Sequence, residues 1–272
     1  MRLRIRHRTT YRFERPQARL VQLLRLTPLN HAGQSVLSWG IEVDRDARWR
    51  HGRDGYGNRT TMLYVDGPLQ EIAIAVSGEV LTDDRSGILG GVVETLPPGA
   101  FLQSTALTAV DVGVRTLVRS LPLPDDALAR AHRLAEEIHG RVGRAEPSTE
   151  TDQRAAVRLE EGWADAQGTT HLLIAAAREA GLPARYVAGH LYRPDAEEGH
   201  AAHGWAELYV AGHGWIGFDA YVGACPTETH VRMAIGLDHA QAAPIAGARL
   251  GLGAETLDVD VRVERRGAVR QD

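Results

Sequence analysis

The 272-residue sequence predicts an α+β fold: an N-terminal antiparallel β-sandwich-like domain over residues 1–98 and an α+β core over residues 99–272. Three observations predict it. Apolar residues alternate with period two through roughly the first 95 positions; helical periodicity takes over near residue 100; strand alternation returns after about residue 184.

The opening strand sets Leu3, Ile5, His7, Thr9, Tyr11 and Phe13 on one face and Arg2, Arg4, Arg6, Arg8 and Arg12 on the other. Further strands are expected over residues 20–26, 36–43, 61–65 and 71–81, the last with Ile72, Ile74, Val76 and Val80 in line. Asp54, Gly55, Tyr56, Gly57 and Asn58 form a turn cluster between strands. A helix is predicted over 125–139, where Leu128, Ala131, Leu134, Ala135 and Ile138 share a stripe behind Pro124. Ser148, Thr149, Thr151 and Asp152 offer N-caps to a second helix through Glu161. A third runs from Gln167 to Ala180 and stops at Gly181, with Pro183 beyond. Strands follow over 184–192, 204–210 and 215–219. A final strand of the core is expected at about 255–264, where Leu257, Val259, Val261 and Val263 alternate with charged residues.

Composition bounds the function. All 31 Lys+Arg residues are arginine, the net charge is −4, and 43% hydrophobic with 24% charged residues is ordinary for a globular chain. Disorder, collagen-like sequence and a coiled-coil rod are excluded. The lone Cys225 excludes an intramolecular disulfide and a CxxC metal motif. Near-zero net charge leaves no nucleic-acid footprint. Seven of the first nineteen residues are arginine, which reads as a solvated sheet face rather than a polyanion site. The N-terminus alternates charge with apolar residues, and the uncharged stretch between Glu94 and Asp111 carries Pro97 and Pro98. It is too short to span a bilayer, so a cytoplasmic location without a membrane partner is expected.

Seven of the twelve histidines fall between His171 and His239. In the strand from His203 to Val210, His203, Trp205, Glu207 and Tyr209 take one face and Gly204, Ala206, Leu208 and Val210 the other. Ile216 and Phe218 are the apolar face of the next strand, so Asp219 falls across from His203 or Trp205 when the apolar faces are kept together. An aspartate that orients a histidine is half of a nucleophilic triad, and a structural Asp–His pair satisfies the same parity. The missing member belongs at a helix N-terminus, where backbone N–H groups favour a thiolate. The candidate start, Gly162 through His171, contains neither cysteine nor serine.

The run from Ala164 through His171-Leu-Leu-Ile to Gly189-His-Leu resembles the bacterial transglutaminase-like proteins. So do His203-Gly-Trp-Ala-Glu-Leu-Tyr-Val, Gly214-Trp-Ile-Gly-Phe-Asp219 and the N-terminal strands with their Asp54…Gly57-Asn58 turn. The resemblance covers nearly the whole chain. It implies a papain-like core with a Cys–His–Asp triad in which His203 is the general base and Asp219 its orienter. The family's cysteine falls on Ala166, its glutamine is kept as Gln167, and its following aspartate is Gly168. Alanine has no atom to attack an acyl carbon, and loss of the nucleophile in comparable triads removes about six orders of magnitude of rate.

Two origins fit Ala166: natural loss, giving an inactive peptide- or amide-binding homologue, or an active cysteine protease or amidase whose nucleophile was engineered to alanine. The departures at Gly168 and Thr169 favour the first. Trp163, Gln167 and Trp205 are the expected ligand-binding residues, and the expected partner is a peptide or protein amide. Cys225, beyond Asp219 in chain order, reads as a bystander, Thr169 and Thr170 as capping residues, and His171 as a support of the cleft. A third class uses His190, His200, His203, His213, His230 and His239 as metal ligands. Their spacing fits no metal motif, and neither a metal nor another cofactor is expected.

Overall fold

The computed structural model describes residues 1–145, 152–194 and 202–266. The N-terminal strands are β1 (Arg2–Thr27), β2 (Gln34–Val43), β3 (Arg48–Arg53) and β4 (Arg59–Thr82). The strands expected at 2–13 and 20–26 are one continuous β1, and those at 61–65 and 71–81 one continuous β4. The two run antiparallel, with irregular pairing between Arg12 and Arg19. Bulges of this kind bend a ladder without ending it, so the chain need not turn where the alternation lapses.

The core contributes helices α1 (Val112–Ser120), α2 (Ala127–Arg141), α3 (Ala155–Glu161) and α4 (Ala166–Glu179). A two-strand parallel pair, β5 (Gly143–Arg144) and β6 (Trp163–Ala164), ties the chain before α3 to the start of α4. Then come β7 (Ala184–Leu191), β8 (Ala202–Val210), β9 (Gly214–Phe218), β10 (His230–Gly236) and the short helix α5 (His239–Ala242). The four strands form an antiparallel sheet in the order β10-β7-β8-β9. Aspartates 111, 126, 165 and 238 each cap a helix through a backbone N–H three residues on. α3 instead starts behind Arg154 with no side-chain cap, and the expected caps at 148, 149 and 151 lie outside the described residues. In α4, Leu172 through Ala177 are fully buried. They pack against Ala206, Leu208, Ile216 and Phe218 of the sheet and against Val114, Leu134 and Ile138 of the surrounding helices.

The last strands are β11 (Ile245–Leu250) and β12 (Glu255–Arg265). β12 covers the final strand anticipated from the sequence but does not join the core. It pairs with β1 from Leu3↔Arg265 to Phe13↔Glu255, and β11 pairs with the second half of β1. Val261 is buried and Val263 packs beside Leu3 and Ile5, so the apolar side of β12 closes the N-terminal sheet. The result is two four-stranded halves that share β1 and β4, one edged by β2 and β12 and the other by β3 and β11. One core draws Tyr11, Ile72 and Ile74 from the first half and Leu20, Leu24 and Leu63 from the second, which makes the arrangement sandwich-like. The arginine face of β1 is met by carboxylates: Arg2 and Arg4 share Glu79, Arg12 binds Glu71 and Arg19 binds Asp66. Cross-strand ion pairing of this kind accounts for that face without a polyanion.

Candidate active site

α4 starts where the sequence places it. Asp165 is the N-cap, its Oδ1 accepting from Gly168 N–H at 2.8 Å, and Ala166 is the first helical residue. The Thr170 hydroxyl lies 2.7 Å from the Ala166 carbonyl oxygen and 3.0 Å from that of Gly204, so the first turn of α4 is pinned beside the residue that follows His203. Gly204 is required at this crossing, because a Cβ there would lie 2.0 Å from the Tyr186 hydroxyl.

β8 and β9 pair with Ala206 opposite Phe218, which puts Asp219 one step further on, across from Trp205 and diagonal to His203. The side chains meet: His203 Nε2 is 2.5 Å from Asp219 Oδ2, and both side chains are 1% exposed. Asp219 Oδ1 accepts from the backbone N–H groups of Tyr221 and Val222 at 3.1 and 3.0 Å. Burial alone would raise the Asp219 pKa, but the His203 and His230 imidazoles outweigh it and hold the carboxyl far below the usual range. With Nε2 engaged by this carboxylate, Nδ1 is the remaining ring nitrogen of His203. It is buried and has no hydrogen-bond partner among the described residues. The strand that carries this imidazole is thus bonded, through Gly204 and Thr170, to the first turn of α4, which begins with Ala166.

A second histidine shares the carboxylate. His230, at the start of β10, lies with Nε2 3.2 Å from Asp219 Oδ2. Thr227 N–H donates to His230 Nδ1 at 3.2 Å, which assigns the proton to Nε2 and makes His230 a neutral donor. His203, Asp219 and His230 are the group of potential metal ligands that converges among the described residues, with ligand atoms within 4.8 Å of one another. A metal on His230 Nε2 would move the ring proton to Nδ1, against the Thr227 N–H, so this donor set suits two hydrogen bonds to Asp219 better than an ion. The other described histidines of this stretch do not join it. His171 Nδ1 bonds the Gln153 carbonyl at 2.7 Å and Nε2 accepts from His239 N–H at 3.1 Å, so the ring braces the α4 and α5 segments. His190 lies within β7, His213 in the β8–β9 turn, and His200 outside the described residues. The sequence grouped His230 with scattered histidines. The signal lay in its strand, where His230 and Arg232 occupy alternate positions.

The expected binding residues separate. Trp163 is 60% exposed on the rim three residues before Ala166, with its ring packed over Gly143. Gln167 is half-buried beside Ala166. Trp205 is 3% exposed and forms an inner wall, its ring 6.4 Å from His203 and 5.3 Å from His230. The rest of that face is buried as well. Glu207 binds Arg185 and Arg232, each at 2.7 Å, on a face where Leu89, Leu96 and Phe101 pack with Trp205 and Trp215. Gly168 has a packing reason: a Cβ there would lie 2.8 Å from Cγ and Cδ of the buried Arg158 and from Oε1 of Gln153. Cys225 is partly buried, and burial raises its thiol pKa, which is the opposite of an activated nucleophile.

Residues 3–81 match the family model described as the bacterial transglutaminase-like N-terminal region, and residues 115–220 match that of the transglutaminase-like superfamily. An uncharacterized protein of Mycobacterium leprae is 26% identical over 277 residues, covering 97% of this chain and 99% of its own. The crystal structure of a candidate cysteine protease from Cytophaga hutchinsonii superposes with a TM-score of 0.76 at 19% identity, covering 97% of this chain and 90% of that one. That likeness establishes the shared papain-like fold.

Proposed function

This chain belongs to the transglutaminase-like superfamily, and from that premise we propose that it is a catalytically silent member that holds a peptide or protein amide at the start of α4. One observation carries the reading: the His203–Asp219 pair is assembled and buried, while the helix start it would serve presents Ala166. In the proposed roles, His203 is the remnant general base, Asp219 its orienter, and Ala166 the vacated nucleophile position. Trp163 and Gln167 meet the ligand at the rim, and Trp205 backs the histidine. Without sulfur no acyl-enzyme forms, and any residual hydrolysis needs water as nucleophile.

The surroundings of Gly168 support natural divergence over a single engineered change. Arg158 and Gln153 fill the space that an aspartate at this position would need, so the packing around the helix start suits glycine at 168. Among the described residues no helix is long and apolar enough to cross a membrane. Residence in the cytoplasm is the finer part of this proposal and is checked by cell fractionation. The binding claim is tested by titration calorimetry of the unaltered protein with glutamine-containing peptides, alongside an ammonia-release assay. Saturable heat without ammonia is the expected result. Ammonia release well above the buffer rate would overturn the silent reading, and absence of heat across a varied peptide panel would overturn the ligand class.

A further inference from the structure

β10 is an edge strand of the core sheet, paired on one side with β7. On its other side the backbone meets two amide side chains from the N-terminal region. Gln34, the first residue of β2, accepts from Arg232 N–H at 2.8 Å and donates to the Arg232 carbonyl at 2.9 Å. Asn58, just before β4, accepts from Ile235 N–H at 2.9 Å and donates to the Ile235 carbonyl at 2.8 Å. Each amide thus makes the pair of bonds that a residue of a neighbouring strand would make. Both side chains are buried and braced: Gln34 also donates to the Leu29 carbonyl, and Asn58 to Asp54, which is ion-paired with Arg25.

Their placement straddles an irregularity. Pairing between β10 and β7 shifts between Arg232 and Ala234, leaving Met233 as the extra residue. Before it, Val231 and Met233 pack on Leu3, Ile5 and Val80, while His230 and Arg232 reach Asp219 and Glu207. After it, Ile235 packs with Trp205, where strict alternation would have kept it with Val231 and Met233. A one-residue slip of a strand exchanges its faces, and bulged edge strands are where register is held least firmly. Such a slip would turn His230 away from Asp219.

We infer that Gln34 and Asn58 are positioning residues of the His–Asp site: they fix the register of β10 on both sides of its bulge and so seat His230 Nε2 on Asp219. The inference rests on reading His203–Asp219 as the working pair of the cleft. It makes the N-terminal region part of the site, acting through the strand that supplies the second donor to the carboxylate.

The test is nuclear magnetic resonance of the full chain at one neutral pH, without ligand, on Gln34→Ala and Asn58→Ala, with His230→Gln as reference. Amide exchange at Arg232 in the first variant and Ile235 in the second should rise about tenfold or more, the effect of losing a buried hydrogen bond. His230 should lose its Nε2-protonated ring signature, and the His203 ring signals should move in the direction seen with His230→Gln. Faster exchange with both rings unchanged would show that the amides only stabilise the edge, and unchanged exchange would show that they do not grip it. Either result overturns the inference. Should the alanine variants fail to fold, Gln34→Glu and Asn58→Asp keep the acceptor and remove the donor. Smaller shifts in the same direction then support the inference, and unmoved rings overturn it. Because no ligand enters, failure of the cleft to bind an amide leaves this result separately readable.

Discussion

Asp219 receives four hydrogen bonds, two from backbone N–H groups and two from imidazoles, and this saturation keeps it anionic inside the protein. His203 is therefore held on Asp219 independently of what stands at the start of α4. Glu207 obeys the same electrostatics in a structural setting. Burial works against its charge, yet Arg232 and Arg185 pull its pKa down to about 2. Arg185 is itself fully buried, stacked 3.8 Å from the Trp215 ring centre and paired with Glu94. Removing Glu207 leaves the buried Arg232 charged without this carboxylate and Arg185 with Glu94 alone. Glu207→Gln should lower unfolding stability by about 3 kcal/mol or more. Chemical denaturation checks this, and a loss below about 1 kcal/mol would mean the network is solvated enough to be dispensable.

At the scale of elements, legibility followed regular alternation. α4, β8 and β9 were readable because an apolar stripe, a Gly-Pro stop and a clean two-residue period marked them, and parity put Asp219 across from His203 or Trp205. β10 was not readable. Its bulge at Met233 breaks the period, and both His230 and Arg232 are polar residues on a buried face, so the pattern imitates a loop. α1 was overlooked in turn because it is short and its stripe is only Val114, Leu117 and Val118. The fate of β12 was hidden for a different reason: alternation announces a strand but carries no address, and only long-range pairing reveals that it closes β1. Asn58 read only as part of a turn, and Gln34 carried no signal, because their partners lie about 180–200 positions away.

Across the whole molecule, the last described strands, β11 and β12, lie along β1, and the core sheet packs against the same strand through Val231 and Met233. Histidines buried in both halves couple this architecture to pH. His7 in the N-terminal sheet and His171 in α4 are pushed down to about 4, chiefly by burial. In the unfolded chain these groups take up protons near pH 6.5, so the unfolded state binds more protons across the interval. Their stabilising contribution is complete above pH 6.5 and is lost as pH falls towards 4. The loss is up to about 3 kcal/mol for each ring. Urea midpoints measured from pH 7.5 to 4.5 should fall steadily, and His171→Asn should flatten the slope. A midpoint that holds constant over this range would contradict the assignment of neutral buried rings.

The proposal that this ordered site lacks only a sulfur at position 166 is tested most directly by placing one there. In Ala166→Cys, iodoacetamide at neutral pH should alkylate the new thiol much faster than Cys225, with the advantage lost when Asp219→Asn is added. Peptide mapping by mass spectrometry reads both sites in one sample. An introduced thiol that reacts no faster than Cys225 would contradict the account, because the His203–Asp219 pair would then have no activated position to serve.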